Sequence, residues 1–212
     1  MHRAEAWKRI AAGVRRFQSE VFPAQRQLFE RLRKGQEPVA LFLTCADSRV
    51  VPNLITQTGP GELFVERNPG NMVPPYSEFV GGVTSGVEYA NLVLKVPLII
   101  VCGHTDCGVM KALLHPEIAA GLPGVQQWMR HGSQARQIIL RDHAELPDEN
   151  RISALTRANV LEQIANLTTH PSVASRLSKD EVLIVGWVYD IGDGSIWQAV
   201  PETGKFELFG GG

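Results

Sequence analysis

The sequence predicts an α/β fold: a central, mainly parallel sheet of four strands, an antiparallel edge strand, flanking helices and an N-terminal helical arm. Three observations lead there. The runs at 39–43 and 98–102 are short, unbroken and apolar, as strands buried on both faces of a parallel sheet are. Stretches with a helical period alternate with the strands, the order expected of βαβ units. A Gly-Asp-Gly turn between 181–189 and 196–200 reads as the bend that adds an antiparallel edge strand.

Length and composition set limits on this picture. A chain of 212 residues suits one domain, and no repeat, low-complexity segment or linker divides it. Residues 1–212 are therefore expected to be a single domain, with 1–35 as its arm. Lysine plus arginine (21) nearly balance aspartate plus glutamate (22), for a net charge of -1, which argues against nucleic acid or an anionic membrane as the main partner. The opening MHRAEAWKRI lacks the apolar core of a secretory signal, and no apolar run reaches the ~18 residues of a membrane-spanning helix. Three scattered cysteines do not make a disulfide framework and suggest metal binding or catalysis in a cytoplasmic protein.

In chain order, Trp7, Ile10, Ala11, Val14 and Phe17, then Phe22, Phe29 and Leu32, keep a helical spacing, and Pro23 is expected to split the stretch in two. Such an arm must lay its apolar face on the home sheet or on a partner subunit, and the partner is the favoured reading. After the strand at 39–43 comes a loop or short helix at 52–61, then a second strand at 62–66. The stretch RNPGNMVPP, 67–75, is too rich in proline, glycine and asparagine for regular structure and reads as an ordered functional loop. Residues 81–95 carry Val83, Val87, Ala90 and Leu94 on one stripe, a crossover helix. One helix is expected at 121–143 and another at 151–169, ended by Pro171. The strand at 181–189, the turn and the edge strand at 196–200 follow, and GKFELFGGG reads as a frayed tail.

Chemistry collects where two strands end. The first runs into Thr-Cys-Ala-Asp-Ser-Arg; if the extended conformation continues, Cys45, Asp47 and Arg49 face one side. The strand at 98–102 runs into Gly-His-Thr-Asp-Cys-Gly, where a sharp turn would let His104 and Cys107 grip one ion. Cys107 would sit in the first turn of the next helix, where the dipole favours the thiolate. With Cys45 this makes two sulfurs and an imidazole, a ligand set that zinc uses while keeping one position open. Magnesium and calcium prefer oxygen. Cys102, within its strand, reads as a small core hydrophobe. GGVTSG lacks the ending of a phosphate-binding loop.

Cys-x-Asp-x-Arg, then His-x-x-Cys about sixty residues later with RNPGNMVPP between, resembles the β-class carbonic anhydrases; VEYA and GWVYDIGDG extend the likeness over nearly the whole chain. The resemblance implies Zn2+ held by Cys45, His104 and Cys107, with Asp47 and Arg49 as a catalytic dyad. It implies reversible hydration of carbon dioxide to bicarbonate and a proton by a zinc-bound hydroxide, in a homodimer or homotetramer with sites near the subunit interface. Gln36, Phe64 and Tyr89 fall where plant-like members place a substrate-binding glutamine and two aromatic walls, and the Gly108 N–H could add a donor. Phe42 stands where members with an inhibitory bicarbonate pocket carry tryptophan, although Arg67 and Tyr189 match its other positions. The plant-like open site is the reading adopted. A same-fold hydrolase of carbonyl sulfide or carbon disulfide and a non-catalytic zinc domain are the alternatives. A zinc nucleobase deaminase would need His-x-Glu and Pro-Cys-x-x-Cys pairs that the chain lacks.

Overall fold

The computed structural model describes residues 2–76 and 81–210, in two compact units, Met1–Glu37 and Pro38–Gly212. In the first, α1 (Arg3–Arg16) starts with a capping box: His2 accepts from the Ala4 N–H, and Glu5 accepts from the His2 N–H. A π turn (Phe17–Val21) leads into α2 (Phe22–Ala24) and α3 (Arg26–Leu32). The break expected at Pro23 falls instead at Gln25, with φ -112 and ψ 20. The π turn explains the shift. There the Phe22 N–H bonds to Phe17 O, five residues back, so the helix has already widened where the proline ring would meet a carbonyl. Phe17, Phe22 and Phe29 cluster, the last two stacked at 4.8 Å.

Among the described residues the second unit is organised by six strands: β1 (Ala40–Cys45), β2 (Leu63–Asn68), β3 (Leu98–His104), β4 (Leu183–Tyr189), β5 (Ile196–Ala199) and β6 (Phe206–Leu208). Their order across the sheet is β2-β1-β3-β4-β5-β6. The first four are parallel, and β5 and β6 are antiparallel additions. The mainly parallel sheet is as the sequence implied, but the antiparallel margin is one strand wider. Phe206, Glu207 and Leu208, read as tail, pair with β5 as the true edge; Gly211 and Gly212 lie outside the described residues. Three residues are too few for a period to show in sequence, and what orders them is the open ladder of β5.

β1 and β3 run through the middle of the sheet and are buried on both faces, which is why both read as continuous apolar runs. Leu41, Leu43, Ile99 and Val101 join one core with Val160, Leu167 and Val173; Phe42, Ile100 and Cys102 share another cluster with Trp187 and Tyr189. Each large side chain so buried contributes about 1.5–3 kcal/mol. The helices are α4 (Pro52–Thr56), α5 (Gly82–Glu88) with a π turn (Tyr89–Val93), α6 (Gly108–Leu114), α7 (Pro123–Met129), α8 (Ser133–Asp142), α9 (Asp148–Thr168) and α10 (Pro171–Leu177). The single helix expected at 121–143 is two, parted by a 3-10 turn (Arg130–Gly132). A Cβ at Gly132 would lie 2.9 Å from Leu113 Cδ1 and from Met72 Cε, so the chain turns where bare backbone fits. Among the described residues no helix is long and apolar enough to cross a membrane.

Candidate metal centre

Register brings the reactive residues together. Thr44 of β1 pairs with Cys102 of β3, so Cys45 is level with Gly103, and His104 lies one step beyond. After β3 the chain turns through Asp106, in the left-handed region at φ 59, and returns with Cys107 as the N-cap of α6. A non-glycine residue there costs of order 1 kcal/mol. The turn sets the ligand atoms of Cys45, His104 and Cys107 within 4.8 Å of one another, all three residues buried.

The donor chemistry fits a zinc ion. His104 Nδ1 lies 2.8 Å from the Thr105 carbonyl, which can only accept, so Nδ1 carries a hydrogen and, in the neutral ring that a metal needs, Nε2 presents the lone pair. That Nε2 is buried and has no hydrogen-bond partner among the described residues. Leaving such an atom unsatisfied costs about 1–3 kcal/mol, and a cation between it and the two sulfurs would remove the cost. The sulfurs are already polarised. Hydrogen bonding with Cys107 is the largest influence on Cys45; burial opposes it, while His104 and the Gly70 N–H, at 3.3 Å, reinforce it, and the thiol is lowered to about 4. The same bond to Cys45, together with burial, raises Cys107, so the pair keeps one proton. Burial works to lower His104, but the neighbouring Cys45 sulfur outweighs it and the net direction is up. Cys102, by contrast, is pushed up to about 12 by burial and stays an inert thiol.

The extended conformation ends at Cys45 rather than running on to Arg49. Residues 48 and 49 form a turn, closed by the Val50 N–H on Asp47 O at 3.1 Å. Asp47 and Arg49 meet within that turn. Arg49 Nε donates to Asp47 Oδ1 at 2.9 Å and Nη2 to Oδ2 at 2.7 Å, a two-pronged, charge-assisted clasp. The guanidinium holds the Asp47 carboxyl well below the usual range. Asp47 Oδ2 is 3.9 Å from His104 Nε2.

Three further residues assist, in roles that no local pattern marks. Asp106 accepts from Arg49 Nη1 at 2.8 Å and pairs with Lys111. Arg67, on β2, donates to the carbonyls of Cys45, Asp47 and Val50, at 3.1, 2.7 and 2.9 Å, pinning the turn.

A cavity of about 300 Å³ opens beside Cys45, Asp47 and Cys107. Its walls are mostly aliphatic, among them Val109, Ile118, Leu122 and Val125, and Gly108 lines it. Phe64 and Tyr89 stack on each other at 5.9 Å but are not among these walls. Phe64 is level with Leu41, four residues before Cys45, or roughly 13 Å along the strand at 3.3 Å per residue. Gln36 is exposed and belongs to the N-terminal unit.

A family model described as carbonic anhydrase matches residues 40–196. The chain belongs to the β-carbonic anhydrase family. A carbonic anhydrase of Pseudomonas aeruginosa is 49% identical over 187 residues, 88% of this chain and 84% of that protein. The structure of the β-carbonic anhydrase CcaA superposes with a TM-score of 0.93 at 39% identity, covering 96% of this chain and 92% of that one. A structure described among two tetrameric β-carbonic anhydrases of Sordaria macrospora gives 0.70 at 27% identity, covering 98% and 95%. This family member is accordingly a carbonic anhydrase, and the strand ends described above lie within the matched segment.

Proposed function

We propose that this chain interconverts carbon dioxide and bicarbonate at a zinc ion held by Cys45, His104 and Cys107, with Asp47 and Arg49 as the working dyad. The observation that carries the reading is His104 Nε2, without a hydrogen-bond partner among the described residues and grouped with two sulfurs, with a clasped carboxylate 3.9 Å away. Bound there, zinc would supply the Lewis acidity that makes water a nucleophile near neutral pH. The chain does the rest. Asp47 Oδ2 accepts a hydrogen from the attacking water and so aims its lone pair, while Arg49 fixes the carboxylate's position. The same clasp keeps Asp47 off the metal, where it would otherwise compete with water. Carbon dioxide carries no charge, and an aliphatic cavity suits it; the Gly108 N–H offers a donor for a product oxygen. Among the described residues no histidine lines the cavity, and on this reading the proton is left to buffer.

The same reading gives the other expected residues a place in an assembly. Trp7, Ile10 and Val14 are 70%, 62% and 50% exposed, an apolar face that a second copy of the chain would cover. A homodimer or homotetramer would then let Gln36, Phe64 and Tyr89 wall a site near the subunit interface. Phe42 is fully buried against Trp187 and Arg67 is committed to backbone carbonyls, which supports the open site without an inhibitory bicarbonate pocket. Stopped-flow hydration of carbon dioxide tests the proposal, with zinc content measured alongside. Zinc-loaded protein should be active and Cys45→Ser should lose both metal and rate. Sulfide release from carbonyl sulfide without hydration of carbon dioxide would overturn the substrate, and full activity after zinc removal would overturn the metal.

A further inference from the structure

Behind the sulfurs, α9 presents three carboxamides on one face, at Asn159, Gln163 and Asn166, the spacing that aligns side chains along a helix. Asn159 and Gln163 are 1% and 0% exposed. Amides so deep are costly unless every bond is made, and here the bonds form a directed relay. Gln163 Oε1 accepts from the Val73 N–H at 2.7 Å. Gln163 Nε2 donates to Asn159 Oδ1 at 2.9 Å and to His131 O at 2.8 Å. Asn159 Nδ2 donates to Gly70 O at 3.1 Å, and the Gly70 N–H in turn meets Cys45 Sγ at 3.3 Å.

The polarity of this relay is fixed at both ends. A backbone N–H at Val73 can only donate, and a backbone carbonyl at Gly70 can only accept, so neither amide can flip without setting like against like. Gly70 itself has no latitude. It sits at φ +77, and a Cβ there would lie 2.8 Å from Val109 Cγ1. Its N–H lies between two anchored carbonyls, Pro69 O, which accepts from Trp128 Nε1 at 2.9 Å, and Gly70 O, which accepts from Asn159.

We propose that Asn159, oriented by Gln163, is a positioning residue for the metal: it anchors the Gly70 carbonyl while Trp128 Nε1 holds the Pro69 carbonyl at 2.9 Å, so that the Gly70 N–H between these two anchors stays on the Cys45 sulfur and draws charge from it. The inference rests on Cys45 being a metal ligand. An outer bond of this kind makes a thiolate a weaker donor and leaves the cation a stronger Lewis acid.

The test uses the full chain loaded with cadmium-113 and with its glycines labelled with nitrogen-15. A hydrogen bond from an amide to a metal-bound sulfur transmits a scalar coupling between the amide proton and the metal. The Gly70 amide should show that coupling in the native protein and lose it in Asn159→Ala. Should the alanine variant not fold, Asn159→Ser, whose side chain is too short to span to Gly70, serves in its place. A cadmium resonance with no coupling to Gly70 overturns the inference while leaving the metal site intact. Coupling that persists undiminished in a folded Asn159 variant also overturns it. Absence of any protein-bound cadmium resonance overturns the metal assignment itself.

Discussion

The clasp of Asp47 by Arg49 can be tested by removing one partner. In Arg49→Ala the freed carboxylate, two residues from Cys45, is expected to move onto the cation. Hydration should fall by about 10²–10⁴-fold, the range for a positioned proton-handling group, while zinc content holds. Stopped-flow rates with metal analysis check this, and retained activity would remove the dyad from the mechanism. Arg49→Lys should recover only part, since an ammonium cannot make the two parallel bonds of a guanidinium. At this scale the sequence exposed the residues that lie close in the chain or at strand exits. Cys45, Asp47 and Arg49 share one motif, and His104 and Cys107 another. It did not expose the grip of Arg67 on Cys45, 22 residues away, or the role of Asn159, 89 residues from Gly70, because nothing local marks an arginine or an asparagine whose partners are distant carbonyls. Asp106 stood in plain view between two ligands, but its bond to Arg49 depends on a turn that only the fold closes.

Among the elements, the long apolar strands were the easiest to read and the helix breaks the hardest. β1 and β3 announce themselves because burial on both faces leaves 40–43 and 98–102 unbroken apolar runs, with the polar Thr44 and His104 only toward their C-terminal ends. Gly132 gives no such notice, since the reason for its turn is a close approach by Leu113 and Met72 from other parts of the chain. Gly132→Ala should therefore cost about 1–3 kcal/mol of overpacking, read as a lower urea midpoint with an unchanged m-value. α10 offers a second test. Its N-cap, His170, is buried, and its Nε2 lies 2.9 Å from Pro74 O. Burial lowers its pKa, with the Pro74 carbonyl and Glu88 opposing. The unfolded chain, with an ordinary histidine value of about 6.5, then binds the proton more readily than the folded one. Its contribution to stability is present above about pH 6.5 and is lost as pH falls through that value toward the folded pKa. Urea midpoints between pH 7.5 and 5 should decline less steeply in His170→Gln than in the native protein.

For the molecule as a whole, the proposed zinc site implies a link between metal and fold. Zinc that binds only the folded state adds RT ln(1 + [Zn]/Kd), about 2.7 kcal/mol at a free concentration of 100 Kd. Chelation should lower Tm accordingly, with recovery on adding zinc; an unchanged Tm would mean that the Cys45, His104 and Cys107 cluster holds nothing in solution. The mainly parallel sheet was legible from its unbroken apolar strands and their alternation with helices. Its last strand was not, because β6 owes its order to a neighbour's unpaired edge rather than to its own three residues. The grip of Arg67 on the turn after β1 has a practical outcome for anyone mapping this protein by mutation. One guanidinium rivets three main-chain oxygens, so changing it would slacken the whole reactive corner at once. A survey scoring positions by lost turnover would rank Arg67 with the reacting groups, although its bonds end on backbone.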